Sequence, residues 1–123
     1  MARRCRRRPG ERGAATAELA LGIPLLVALT AGLVWMLAVG AAQVRVVDAS
    51  REAARAVARG DDVSAAQEVA LRIAPERARV RIEVEDTEVS VVTSARIPGP
   101  GGLLASLPGV TVTAEAVALV ETS

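Results

Sequence analysis

The hydrophobic pattern changes period along the chain, and each change marks an element. From Leu19 to Val44, 26 residues in a row carry no charge, and Leu, Val, Ala and Ile fill most of them. A helix of that length rises about 39 Å, at ~1.5 Å per residue, enough to cross a hydrocarbon layer about 30 Å thick with some tilt. Beyond Val44 charge returns without any Gly or Pro before Gly60, and Arg45, Asp48, Glu52, Arg55 and Arg59 recur at steps of three and four. That spacing puts them on one solvated helix face and leaves Val46, Ala49, Ala53, Ala56 and Val57 on the opposite, small-residue face. Such a face permits close approach, either to the protein's own outer part or to a neighbouring helix. One helix from Ala14 to Arg59 is therefore predicted, about 69 Å long, with Pro24 as a place to bend.

Gly60-Asp61-Asp62 ends the long helix. Ser64-Ala65-Ala66-Gln67 fits a capping box, which predicts a short second helix with Ala66, Val69, Ala70 and Ile73 on one face and Pro75 as its stop. Then the period drops to two. Val80, Ile82 and Val84 alternate with Arg81, Glu83 and Glu85, and after a tight turn at Asp86-Thr87 the alternation resumes through Val89, Val91, Ala95 and Ile97. Two such runs make a hairpin with one buried face. Pro98-Gly99-Pro100-Gly101-Gly102 and Pro108-Gly109 bracket one expected helical turn over 103–107, and Val110 to Val120 is the third strand, with Val110, Val112, Ala114, Ala116, Ala118 and Val120 facing alike. The predicted class is α+β: a long N-terminal transmembrane helix continuing into a stalk, a short second helix and a small three-stranded antiparallel sheet. The expected division is a basic leader over 1–13, the transmembrane and stalk helix over 14–59, and a small external α+β domain over 60–123. With no Phe or Tyr and a single Trp, Trp35 within the span, that external part holds little apolar area of its own. Its core is expected to depend on the long helix.

Charge gives the span a direction. Arg3, Arg4, Arg6, Arg7, Arg8 and Arg12 stand against Glu11 in the first 13 residues, a local +5 in a chain whose overall charge is +1. Short basic flanks stay in the cytoplasm, so the N-terminus is expected inside and the C-terminus outside. The run exceeds the 7–15 apolar residues of a secretory signal, and Pro24 sits near its start, so cleavage at Gly40 or Ala42 is not expected. The lone cysteine, Cys5, precedes the apolar run and has no partner for an intrachain disulfide. The arginine cluster has no interleaved aromatics and adjoins a membrane helix, so it reads as a topology signal contacting anionic lipid and not as a nucleic-acid arm. All 15 basic residues are Arg. Together with the Ala and Val content, this suggests a bacterial genome rich in G and C.

Catalytic chemistry finds few residues to work with. There is no His and no CxxC pair. Ser64, Ser90, Ser94, Ser106 and Ser123 therefore lack a histidine to activate them. Glu83, Glu85, Asp86 and Glu88 form the densest carboxylate group, and a hairpin tip lined with acids reads as a solvated turn, not a Ca²⁺ site. The Gly99–Gly102 stretch has no Lys and Ser/Thr to make it a phosphate loop. The chain is expected to be no enzyme and to use no cofactor, metal, nucleic acid or small-molecule substrate.

The informative residues lie at the mouth of the span. Gly13 is followed five residues later by Glu18, with basic residues before and the apolar run after. An acid at a helix start is ordinary, since it favours the positive end of the macrodipole. The setting is more specific than the acid. Arg12-Gly13-Ala14-Ala15-Thr16-Ala17-Glu18-Leu19-Ala20, then Pro24 and the apolar run, then Asp48-Ala49-Ser50-Arg51-Glu52-Ala53-Ala54-Arg55-Ala56 up to Gly60, resemble the TadE-like minor pilins, or pseudopilins, of the tight-adherence type IV pilus system. The resemblance implies that a membrane prepilin peptidase cuts between Gly13 and Ala14 and that Glu18 serves assembly. Here Ala14 stands where many type IV pilins carry Phe or Met. The implied partners are the membrane, the prepilin peptidase, other pilins and the pilus assembly platform. The implied location is the bacterial cytoplasmic membrane as a single-pass protein, with incorporation into extracellular pili. The alternative from a different class is a membrane-anchored extracytoplasmic binding module, in which the same helix is a permanent anchor.

Overall fold

A computed structural model describes residues 9–102 and 104–121. Arg3, Arg4, Arg6, Arg7, Arg8 and Cys5 lie outside the described residues. The longest element, α1, runs over Pro9–Ala58. It begins five residues earlier than the sequence pattern predicts. The local reason is a proline at the first helical position, whose missing N–H costs nothing there and whose fixed φ suits a helix, with the acidic Glu11 in the first turn. Helix α1 passes Pro24 without a break. Its C-terminal end is closed by two hydrogen bonds, Gly60 N–H to the Val57 carbonyl at 2.9 Å and Asp61 N–H to the Ala56 carbonyl at 3.0 Å. Gly60 sits at φ +101°, a conformation that L side chains rarely adopt, so this Schellman stop needs glycine.

Helix α2 spans Val63–Ile73, with Asp62 at its N-cap and Ala74 at its C-cap. The expected capping box does not form. Ser64 Oγ donates instead to the Asp62 carboxylate, and Gln67 Nε2 donates to the Val80 carbonyl of the first strand at 3.3 Å. Asp62 holds the N-cap position by its backbone, its carbonyl accepting the Ala66 N–H at 3.0 Å, and makes no side-chain cap bond. Ala66 and Ala70 of α2 are buried against α1, and Ile73 packs at the edge of the same cluster.

Three strands follow as a meander, β1 over Arg79–Val84, β2 over Glu88–Ile97 and β3 over Val110–Leu119, in the order β1-β2-β3. Both pairings are antiparallel, with Val84 opposite Val89 and Ile97 opposite Val110. The fold is thus α+β, a long N-terminal helix, a short second helix and a three-stranded antiparallel sheet. Period-two alternation sends Val89, Val91, Thr93 and Ala95 of the central strand inward, and all four are buried. Against them lie Ala49, Ala53, Ala56 and Val57 of α1, while nearer the span Ala42 and Val46 meet Ala95 and Val112. Half of this core is supplied by the long helix, and its small side chains let the sheet lie close. The small-residue face of α1 is therefore used inside the protomer. Arg45, Asp48, Arg51, Arg55 and Arg59 are exposed on the far side.

Leu103, the first residue of the helical turn expected over 103–107, lies outside the described residues, and residues 104–107 of the 98–109 connection form no helix. Instead the N–H groups of Leu104, Ala105 and Leu107 bond to the carbonyls of Gly101, Gly102 and Leu104, three residues back, as successive tight turns. Its two arms pinch together at the neck. A Cβ on Gly109 would lie 2.6 Å from the Ile97 carbonyl oxygen, and one on Gly99 would meet the Leu107 carbonyl oxygen.

Candidate functional site

The first turns of α1 hold the residues singled out at the mouth of the span. Gly13, Ala14 and Glu18 are all exposed, and a side chain added at Gly13 would meet nothing within 4 Å. Ala14 and Glu18 are four residues apart in a helix, so they share a face and lie about 6 Å apart along the axis. The Gly13–Ala14 peptide bond is itself inside the helix, between its fifth and sixth residues. Thr16 Oγ1 donates to the Arg12 carbonyl at 2.9 Å, across that bond. Glu18 makes no salt bridge among the described residues. The ion pairs there join Arg59 to Glu52 at 4.0 Å and to Asp61 at 3.8 Å, at the other end of the helix.

Above Glu18 the helix surface is apolar and uncovered. The helix is long and apolar enough to cross a membrane, and only 6% of its most apolar stretch is buried by the rest of the chain. Two polar side chains on this part of the helix have partners, one local and one remote. Thr30 Oγ1 donates to the Leu26 carbonyl at 2.8 Å, the usual way a hydroxyl is tolerated on an apolar helix. The sole tryptophan, Trp35, donates its indole N–H to the Pro98 carbonyl at 2.8 Å.

Two arrangements here lie outside the expectations drawn from the sequence. One is a buried polar pair: Ser50 Oγ lies 2.8 Å from Thr93 Oγ1 and 3.1 Å from the Ala114 carbonyl, and Ser50 and Thr93 are both fully buried. Thr93 and Ala114 are register partners on adjacent strands, so one helix hydroxyl bridges both. The other is the approach of the 98–109 loop to the apolar helix, where Leu104 Cδ1 comes within 3.6 Å of a Cβ placed on Gly32. Among the described residues no group of three or more His, Cys, Asp or Glu is placed to hold a metal ion.

A single apolar helix is uncovered over half its length and carries a small α+β head packed on the other half. Residues 13–55 match the family model described as TadE-like protein. The resemblance to the TadE-like pilins thus holds over the stretch from Gly13, through Glu18 and the span, to Arg55 in the stalk, while the sheet lies beyond the match. No curated protein and no solved structure matches the chain.

Proposed function

We propose that this chain is a minor pilin, or pseudopilin, of a tight-adherence type IV pilus system. It is inserted in the cytoplasmic membrane with its N-terminus inside, cut after Gly13 by a prepilin peptidase, and drawn into the pilus or its assembly machinery. Its role is structural and not enzymatic. The observation that carries this reading is the family match, which begins at Gly13 and covers the one helix whose apolar surface the rest of the chain leaves bare. Peptidases act on extended backbone, so the first turns of α1 have to open for cleavage. Gly10 and Gly13 ease that step, since each weakens a helix by about 1 kcal/mol relative to Ala. Glu18 fits the assembly role because it has no partner among the described residues and shares a face with the future N-terminal amine of Ala14.

The test is N-terminal sequencing of protein from the membrane of its native host. The mature chain is expected to start at Ala14, and Gly13→Leu to accumulate at full length, because a branched side chain replaces hydrogen at the cleavage position. A wild-type chain that keeps its leader in pilus-forming cells refutes the reading and leaves a permanent anchor.

A further inference from the structure

The 98–109 loop reaches toward the membrane end of the molecule and lies along the apolar helix. Pro100, Gly101, Gly102 and Leu104 line a pocket together with Val27, Ala28 and Ala31, while Leu104 and Leu107 flank a groove beside Leu29 and Trp35. If the hydrocarbon layer begins at Leu19, just after the Glu18 charge, Gly32 lies about 20 Å into a layer about 30 Å thick. If it begins at Ala14, Gly32 is about 27 Å in, and Trp35 falls at the outer boundary, where aromatic residues favour the headgroup level. On either placement the loop tip is below the outer surface of the layer. We propose that this loop inserts into the outer leaflet of the membrane beside the helix, as a second, lipid-contacting anchor that holds the head against the bilayer; the inference rests on the reading of α1 as a transmembrane helix.

The composition of the loop fits that occupant. No charged residue occurs between Arg96 and Glu115, the longest uncharged run outside the span. Backbone inserted in hydrocarbon must satisfy its polar groups internally. The loop meets part of that requirement: Pro98, Pro100 and Pro108 carry no N–H, the N–H groups of Leu104, Ala105 and Leu107 are bonded within the loop, and the Pro98 carbonyl accepts the Trp35 indole. Leu107 is 45% exposed even though Leu104 is partly covered by the helix, so apolar surface remains facing outward at this level. The rest of the head is unlike this. The 85–88 turn at the opposite end of the sheet, with Glu85, Asp86 and Glu88, is charged.

The full chain carrying Cys5→Ser, with a single cysteine at Ser106 or Leu107 labelled by an environment-sensitive fluorophore, is reconstituted in phosphatidylethanolamine–phosphatidylglycerol vesicles. Part of the lipid carries a quencher on the upper acyl chain. A probe at Ser64, on the first turn of α2, serves as the water-facing control, and Trp35 emission reports the span in every sample. Expected are blue-shifted emission and strong lipid quenching at 106 and 107, weak quenching at 64, and quenching of Trp35. Leu104→Asp lowers quenching at 107 while Leu104→Met retains it. Quenching of Trp35 without quenching at 106 and 107 overturns the inserted loop and leaves the anchor standing. Absence of both overturns the anchor and the loop together. A probe at 107 that is shielded from water yet unquenched by lipid shows that a second copy of the chain covers the loop, and also overturns it.

Discussion

Removing the Ser50 hydroxyl should loosen the head from its helix while the helix stays helical. Ser50 lies between Val46, one turn before it, and Ala53 on the buried face of α1, and its hydroxyl hydrogen is shared between Thr93 Oγ1 at 2.8 Å and the Ala114 carbonyl at 3.1 Å. In Ser50→Ala the fully buried Thr93 hydroxyl loses this partner, and a buried polar group left unsatisfied costs about 1–3 kcal/mol. Thr93→Val leaves Ser50 the Ala114 carbonyl as acceptor, so only the net worth of one hydrogen bond is lost, about 0.5–1.5 kcal/mol. The double variant has no orphaned hydroxyl, and its cost should fall below the sum of the two, with a coupling of about 0.5–2 kcal/mol. Hydrogen exchange of the β2 amides in vesicles reads this directly, since exchange through opening scales with the free energy of opening. At tenfold per ~1.4 kcal/mol, Ser50→Ala should speed β2 exchange by about 5- to 150-fold, with the amides of the apolar helix unchanged. Unchanged β2 exchange, or a double variant whose cost is the plain sum, refutes the bridging role.

Three further outcomes are expected. Glu18→Ala should leave membrane retention unchanged or improved, because a carboxylate near the apolar layer costs a few kcal/mol when unpaired. The same variant should lower recovery in sheared pili, and equal recovery there refutes the pairing of Glu18 with a neighbour's amine. A reporter active only outside the cytoplasm, fused after Ser123, should give signal, whereas signal from a cytoplasm-restricted reporter alone shows the opposite orientation. Gly109→Ala puts a methyl 2.6 Å from the Ile97 carbonyl oxygen in a backbone-to-backbone contact that cannot relax by rotating a side chain. It should open the loop neck and shift Trp35 emission, and an unchanged spectrum shows that the neck does not hold the loop on the helix.

Patterns that repeat were legible in the sequence, and contacts between remote segments were not. The alternations through Val80, Ile82 and Val84 and through Val89 and Val91 placed two strands to within a residue, because period two has no other cheap explanation. The small face of α1 was equally plain, though whether it served the protomer or a neighbour was left open by the sequence; burial of Ala49 and Ala53 in the core decides for the protomer. Thr93 carries a signal of its own in the sequence. It occupies an inward position between Val91 and Ala95, and a polar residue there demands a partner, which the helix supplies at Ser50. The Ser64–Gln67 box misled because a motif match cannot show that the helix starts earlier, with Asp62 at the N-cap position and its carboxylate taken by the Ser64 hydroxyl. The approach of Leu104 to Gly32 leaves no trace beyond an uncharged loop, since nothing local ties residues 98–109 to 25–36.

Energetics constrain how the proposed subunit moves from membrane to filament. Eleven large apolar side chains between Leu19 and Leu37 remain 54–77% exposed on α1, so the head covers almost none of the span. At about 1.5–3 kcal/mol for each fully buried side chain, leaving this surface in water costs on the order of 10–20 kcal/mol, more than the net stability of most small domains. The span therefore cannot pass through water between its two environments. On the proposed reading it exchanges lipid for the apolar flanks of other helices while still at the membrane, the step at which Glu18 would pair with a neighbour's amine. Because the small-residue face of the stalk is already filled by the sheet, the surface that assembly buries has to come from this bare segment and the charged outer face of the stalk. On the proposed reading the subunit assembles through its helix, and its sheet is carried along.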